Sequence, residues 1–173
     1  MILKLLGAIL TISSSAAIGF YFSIILKERV EDLKNLKKCI FILRGDIRYS
    51  NTPLPEAIGS MAERNQNNFK QFFEKISDEL IKLDGKTFSE IWKKSVDEDL
   101  KDTCMNKKDK VYLANLGDNL GYLDKEMQIN TIDLYIEQLE GELKETIGTV
   151  KEKTRLYNLL GVLSGIFITI IML

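Results

Sequence analysis

Two long apolar runs without a charged residue stand at opposite ends of this chain, Leu5 to Leu26 and Leu156 to Leu173. A helix needs about 20 apolar residues to cross a hydrocarbon layer about 30 Å thick. The runs hold 22 and 18 residues, so we assign transmembrane helices to residues 1–26 and 156–173. A cleaved signal peptide is the alternative for the first run, but its apolar residues continue past the small residues Ser13–Ala17, as an anchor requires.

The positively charged residues near these runs predict an orientation. Six Lys or Arg residues follow the first run within 18 positions and four precede the second, whereas only Lys4 lies on the far side of either run. Lys and Arg are enriched on the cytoplasmic side of membrane helices. We therefore expect a two-pass protein whose residues 27–155 are cytoplasmic and whose termini are both outside.

The composition of residues 27–155 excludes several classes of function. The segment carries all 25 acidic residues and all but one of the 24 basic residues, mixed along the sequence without a basic stripe, so nucleic acid is not an expected partner. The chain has no histidine, the commonest general base and metal ligand. Cys39 and Cys104 alone are too few for a zinc site. We expect no metal, no cofactor and no enzymatic activity.

Two short segments resemble ligand-binding loops only superficially. Gly117-Asp-Asn-Leu-Gly121 matches neither the dinucleotide nor the P-loop pattern, and it lies within a helical pattern. Asp97-Glu-Asp99 with Asp102 lacks the glycine and the terminal glutamate of a calcium loop. We interpret the acidic cluster as a solvated helix end.

Apolar residues recur every third or fourth position through residues 27–155 and predict six helices. The first leaves the first apolar run without a break and ends before Pro53. The others are expected at Leu54 to about Arg64, Phe69 to Leu83, Phe88 to about Leu100, Lys107 to Leu120, and from near Asp124 to the chain end. The predicted fold is all-α, a six-helix bundle cytoplasmic domain between N- and C-terminal transmembrane helices.

The stripes of these helices predict which side chains are buried. Thr87 with Glu90 predicts a capping box at the start of the fourth helix. The first and sixth helices are expected to pair antiparallel, with close packing at Gly141 and Gly148. The core positions expected on helices one, three, four, five and six are Leu26, Val30, Leu33, Leu36, Ile40, Leu43 and Ile47; Phe69, Phe72, Phe73, Ile76, Leu80, Ile81 and Leu83; Phe88, Ile91, Trp92 and Val96; Val111, Leu113, Leu116 and Leu120; and Ile132, Ile136, Leu139, Leu143, Ile147 and Val150.

Small residues recur every fourth position within both apolar runs. The first run has Gly7, Thr11, Ser15, Gly19 and Ser23, and the second has Gly161, Gly165 and Thr169. Helices in lipid associate by close backbone approach at such residues. The spacing therefore predicts a helix–helix interface, either between the two spans of one chain or between subunits.

Three segments resemble the stage III sporulation protein AB family of endospore-forming bacteria. They are Ile47–Tyr49 with Thr52–Ala57, Leu116–Asp124 with Gln128, and Arg155–Gly165, and the likeness extends over essentially the whole chain. The family is similar to the inner-membrane platform protein of type II secretion and type IV pilus machines. It departs from that platform in having one helical domain and two spans where the platform has two domains and more spans.

The resemblance implies a non-catalytic platform in the mother-cell membrane around the forespore. Its implied partners are a secretion-type ATPase on the cytoplasmic side and other membrane proteins of the same operon, and platform behaviour would require several copies, a homo-oligomer in the lipid bilayer. A regulatory membrane tether without a transport role is the alternative. The candidate partner-binding residues, exposed polar groups near predicted loops, are Arg48, Asn51, Asp118, Asn119, Asp124 and Gln128.

Overall fold

The computed structural model describes residues 2–50, 52–82, 84–121 and 124–172, with side chains described from Leu6 onward. Every regular element in these ranges is a helix, which confirms the all-α prediction. The helices are α1 (Ile2–Tyr49), α2 (Leu54–Glu63), α3 (Lys70–Ile81), α4 (Phe88–Asp99), α5 (Lys107–Leu120) and α6 (Lys125–Met172). The predicted positions Asn51 and Leu83 lie outside the described residues.

The chain divides into two compact units. One contains residues 1–30 and 144–173, and the other contains residues 31–143. We call the first the hairpin unit and the second the helical unit. In the hairpin unit, α1 and α6 each include an 18-residue stretch long and apolar enough to cross a membrane, of which 11% and 17% respectively is buried. Such exposure is consistent with membrane association and is unlike the buried core helix of a soluble protein.

Local chemistry sets the helix ends of the helical unit. Pro55 occupies the first turn of α2, where its missing N–H is not needed. The predicted capping box at Thr87 and Glu90 is confirmed, and Asn106 forms a second one with Asp109 at the start of α5. Between α3 and α4, Gly85 has a φ of 77°, a conformation that side-chain-bearing residues avoid.

Neighbouring helices of the helical unit run antiparallel. Near the end of α3, the Ser77 hydroxyl donates to the carbonyl of Pro55 at the start of α2. Phe88 at the start of α4 lies against Gly121 at the end of α5. The paired parts of α1 and α6 are linked by two ion pairs, Lys37–Glu140 and Arg44–Asp133. The predicted antiparallel pairing of the first and last helices is therefore present in this unit.

The core consists of the predicted stripes together with an aromatic cluster. The stripe residues of α1 from Val30 to Ile47, those of α4, and those of α6 from Ile132 to Leu143 are buried. Rings from α3, α4 and the residue before α3 pack at the centre, with centroids 4.7–6.4 Å apart: Phe69, Phe72, Phe73, Phe88 and Trp92.

Some predicted core positions are wrong. Val111 and Ile147 are about half exposed, and Ile81 is 65% exposed at the last turn of α3. Gly141 and Gly148 are exposed and have nothing within 4 Å of an added Cβ, so neither mediates close packing in this chain. Each of these residues lies on a side of its helix that the described part of the chain leaves exposed.

Candidate interaction surfaces

Three glycines bring α1 and α6 into close contact in the hairpin unit. A Cβ added to Gly19 would lie 2.5 Å from the carbonyl oxygen of Tyr157, and one added to Gly161 would lie 2.9 Å from that of Ser15. A Cβ added to Gly165 would lie 2.9 Å from the Cα of Ile12. The backbones approach too closely for a side chain, which is how small residues join helices in lipid.

Serine hydroxyls supplement this contact with hydrogen bonds between the two helices. Ser15 Oγ donates to the carbonyl of Gly161 at 2.7 Å and lies 2.7 Å from Ser164 Oγ. Ser23 Oγ donates to Asn158 Oδ1 at 2.7 Å. Groups that would otherwise be unsatisfied in an apolar environment therefore bond across the pair.

The other small residues of the stripes lie apart from the closest approach. Gly7 has nothing within 4 Å of an added Cβ. Thr11 and Thr169 donate their hydroxyls to carbonyls of their own helices, Gly7 and Gly165, at 2.8 Å. The structure thus brings Ser15, Gly19, Gly161 and Gly165 together within one chain and leaves Gly7, Thr11 and Thr169 with local roles.

Among the candidate partner-binding residues, Asp118 links α5 to α4. Its carboxylate pairs with Lys93 Nζ at 2.6 Å and accepts a hydrogen bond from the Ser89 hydroxyl. Lys93, and after it Ser89, holds the pKa of Asp118 below its usual value. The side chain remains 39% exposed, so one side of the carboxylate is accessible.

Asp124 and Gln128 lie at the start of α6 and form hydrogen bonds there and to the end of α5. Asp124 Oδ1 accepts from the backbone N–H of Met127 at 2.9 Å, the N-cap interaction. Gln128 Nε2 donates to the carbonyl of Leu120 at 2.8 Å, which satisfies an acceptor at the end of α5. Their side chains therefore have structural partners within the chain.

Asn119 and Arg48 are the more available candidates. Asn119 is exposed and donates only to Asn115 in its own helix. Arg48 is exposed in the last turn of α1, with its guanidinium 5.7 Å from the centre of the Tyr49 ring. Because α1 ends where α6 begins, Arg48 and the α5–α6 candidates lie at the same end of the helical unit. The candidate Asn51 lies outside the described residues.

Asp32, which the sequence did not single out, is a buried carboxylate that connects α1 to two loops. Asp32 is 3% exposed; one oxygen accepts from the backbone N–H of Cys104 at 2.7 Å, the other from Asn68 Nδ2 at 3.3 Å. Its position one residue before the core residue Leu33 was the available signal, since an acidic residue beside a buried stripe requires a partner.

The Gly117–Gly121 segment also has a structural role that its pattern did not reveal. Gly117 is buried against the indole of Trp92, and Gly121 lies against Phe88. Trp92 Nε1 donates to the carbonyl of Leu113 at 2.7 Å. The glycines of α5 therefore accommodate the aromatic residues of α4, and the prediction that this segment belongs to a helix is confirmed through Leu120.

The acidic cluster at the end of α4 is only partly solvated. Asp97 and Glu98 are exposed, as expected for a helix end. Asp99 is half-buried and pairs with Lys75 Nζ of α3 at 2.7 Å. The hydrogen bond from Lys75 to Asp99 raises the pKa of the lysine. Glu98 also lies 3.4 Å from Lys75 Nζ, so two carboxylates of the cluster stabilise the contact between α3 and α4.

Comparison with known proteins gives a consistent result. A family model described as stage III sporulation protein AB matches residues 4–173. Stage III sporulation protein AB of Bacillus subtilis strain 168 is 25% identical over 171 residues, 99% of each chain. A solved structure of a stage III sporulation protein AB superposes with a TM-score of 0.65 at 23% identity, covering 72% of this chain and 97% of that one. At this identity the structural likeness supports the fold alone.

Proposed function

The chain belongs to the stage III sporulation protein AB family, and from this premise we propose that it is a non-catalytic membrane platform that docks a cytoplasmic secretion-type ATPase during endospore formation. The platform would lie in the mother-cell membrane around the forespore, as part of a transenvelope complex. The observation that carries the proposal is the division of the chain into an apolar hairpin unit and a charged helical unit.

The topology proposed for this platform rests on charge. The Lys and Arg residues that flank the apolar stretches are almost all on the side of the helical unit. By the positive-inside rule this charge supports a cytoplasmic location for residues 27–155, where an ATP-hydrolysing partner has its nucleotide. Both termini would be outside.

The proposed docking surface is the end of the helical unit that carries Arg48, Asp118 and Asn119. These side chains are exposed, and Asp118 presents a carboxylate already held by Lys93. A pre-organised polar surface of this kind suits recognition of a charged partner, because little side-chain freedom is lost on binding. Asp124 and Gln128 would act indirectly, by fixing the start of α6 beside this surface.

Affinity purification from sporulating cells tests the proposal. The full-length chain, solubilised in detergent, is expected to recover a secretion-type ATPase encoded in the same operon. Asn119→Lys should reduce the recovered ATPase severalfold, because Asn119 is exposed and its hydrogen bond is to its own helix. Lys94→Glu, an exposed change on α4, is the matched control and should leave recovery unchanged.

The result that contradicts docking is a stable wild-type chain that recovers no ATPase after crosslinking. That result favours the alternative, a regulatory tether whose helical unit binds a different cytoplasmic protein. Incubation of the purified chain with nucleotides tests the non-catalytic part separately, since any turnover would contradict it.

A further inference from the structure

The outer faces of α1 and α6 in the helical unit have an unusual composition. We call the α1 face the exposed or half-buried residues Lys34, Lys38, Phe41, Gly45 and Arg48. The α6 face is the exposed set Glu126, Asn130, Leu134, Glu137 and Gly141. The outward face of an amphipathic helix is predominantly polar. Each of these faces instead carries one large apolar side chain and one glycine.

The apolar side chains are largely exposed, although the Phe41 ring lies 5.6 Å from Lys37 Nζ, and the glycines face open space. Phe41 is 46% exposed and Leu134 is 68% exposed. Neither Gly45 nor Gly141 has anything within 4 Å of an added Cβ. Glycine weakens a helix interior relative to alanine. A glycine beside an exposed apolar residue is therefore explained best by close approach of another helix.

The two faces carry opposite charge. The α1 face has three cations, of which Lys34 pairs with Glu31 of its own helix at 2.7 Å, and the α6 face has two anions and no cation. Within the described part of the chain, Lys38, Arg48, Glu126 and Glu137 form no ion pair. Unpaired charges of opposite sign on two faces favour binding of one face to the other and disfavour binding of either face to itself.

The register of the two helices fits such a contact. Two ion pairs join the helices, Lys37–Glu140 and Arg44–Asp133. From the first pair to the second the chain advances seven residues on α1 and goes back seven residues on α6, so the antiparallel register is constant between them. A second copy rotated about an axis parallel to the helices keeps the same register. Leu134 of that copy then lies about two residues along the helix axis from Gly45, and both Leu134–Gly45 and Glu126–Arg48 are within one helical turn.

We propose that the α1 face of one copy binds the α6 face of a second copy of this chain, head to tail, with Leu134 of one seated over Gly45 of the other. Such heterologous contacts repeat, and they close into a ring or continue as an open array. The inference depends on the helical unit and does not require the ATPase of the proposed function. Anchoring in one membrane would raise the effective concentration of the copies.

Crosslinking between two differently tagged full-length chains tests the pairing directly. In a background with Cys39→Ala and Cys104→Ser, one chain carries Phe41→Cys and the other Leu134→Cys, and both are produced in the same membrane. A short bis-maleimide should link the two tags. Links confined to identical positions, or the absence of any link, would overturn the proposal. A chain with Lys37→Cys and Glu140→Cys, linked internally, verifies that α1 and α6 are paired.

Gly45→Leu separates an interface role from a structural one. The site has open space within the chain, so the monomer should unfold at the same or a higher temperature than wild type. Yet the leucine would occupy the place of Leu134 of the second copy, and the crosslinked fraction should fall about tenfold or more, as at an overpacked contact. Crosslinking that persists at the wild-type level would overturn the proposal.

Charge reversal provides the second variant. Lys38→Glu with Arg48→Glu, and Glu126→Lys with Glu137→Lys, should each reduce self-association, and the chain carrying all four changes should recover it. The net-charge-neutral pair Lys94→Glu with Asp97→Lys on α4 is the matched control and should have no effect. Loss of association in the fourfold variant would contradict complementary charge between the faces.

Discussion

A Cβ atom added to Gly117 would lie 2.8 Å from the Cβ of Trp92 and closer still to the indole ring. The contact joins α5 to α4 at a point that admits no additional side chain. We expect Gly117→Ala to lower the free energy of unfolding by about 1–3 kcal/mol, the range for overpacked core positions. Trp92 is the only tryptophan in the sequence, so its fluorescence during urea unfolding of the full-length chain measures the change.

Gly141→Ala is the control for this prediction. Gly141 is exposed in α6 with open space around an added Cβ. Alanine should raise the free energy of unfolding by about 0.5–1 kcal/mol, because it loses less conformational entropy in a helix. If Gly117→Ala unfolds at the same urea concentration as wild type, Trp92 moves aside without a loss of stability, which contradicts the prediction.

These two glycines illustrate what spacing does and does not predict. The six helices were predictable because each has one apolar stripe and clear end signals such as Pro53 and the Thr87 capping box. The spacing does not predict which residues of another helix pack against a given helical turn. Close packing is predicted at Gly141, but this residue is exposed. For Gly117 the sequence predicts only a helix, but this residue is buried against an aromatic ring.

The candidate interaction residues also show that sequence spacing identifies local partners but not distant ones. Asp124 was recognisable as an N-cap, because its partner Met127 is three residues away. The partners of Asp32, in contrast, are 36 and 72 residues away along the chain. No local pattern connects such residues, and only the folded arrangement of α1 with the two loops brings them together.

Asp32→Ala should strongly destabilise the helical unit. The substitution leaves the N–H of Cys104 and the amide of Asn68 without their acceptor in a part-buried region. An orphaned buried donor costs about 1–3 kcal/mol, and the cost is larger where the lost acceptor was charged. Urea unfolding followed by Trp92 fluorescence measures the loss. Asp32→Asn keeps one acceptor oxygen and should lose less; equal losses in the two variants would argue against this hydrogen-bond account.

The stability of the helical unit should decrease at alkaline pH because of Cys39. Burial raises the pKa of its thiol to about 11, against about 8.5 for an exposed cysteine. Above about pH 8.5 the unfolded thiol ionises while the folded thiol keeps its proton, so the free energy of unfolding falls as the pH rises toward 11. Below about pH 8.5 both states are protonated and the contribution is constant.

Comparison of wild type with Cys39→Ala isolates this effect. Between pH 7 and pH 10 the wild type should lose about 1–2 kcal/mol more stability than the variant. The reason is that pH 10 lies roughly one and a half pH units above the pKa of the unfolded thiol, while the folded thiol is still protonated. Urea titrations at the two pH values provide the measurement. Parallel pH dependence in the two proteins would mean that the thiol is accessible in the folded state.

Leucines at Gly161 and Gly165 should separate α1 from α6 in the hairpin unit. Each would place a side chain where a Cβ alone already lies 2.9 Å from the facing helix. In a chain without native cysteines, Ser15→Cys and Ser164→Cys replace two hydroxyls 2.7 Å apart and should form a disulfide. We expect Gly161→Leu with Gly165→Leu to reduce its yield severalfold in membranes, and to alter the size of the complex in detergent.

Gly7→Leu is the matched control within the same apolar stretch, because Gly7 has no neighbour within 4 Å of an added Cβ. It should leave the disulfide yield unchanged. If the double leucine variant forms the disulfide as readily as wild type, close approach at these glycines does not hold the hairpin unit together.

The topology of the chain tests the proposed platform most directly, because an ATPase can dock only if the helical unit is cytoplasmic. Alkaline phosphatase, which matures only outside the cytosol, would be fused after Leu173 in one chain and inserted after Lys86, between α3 and α4, in another. We predict activity for the terminal fusion and none for the internal one. A stably produced terminal fusion without activity, or an active internal one, would contradict the account.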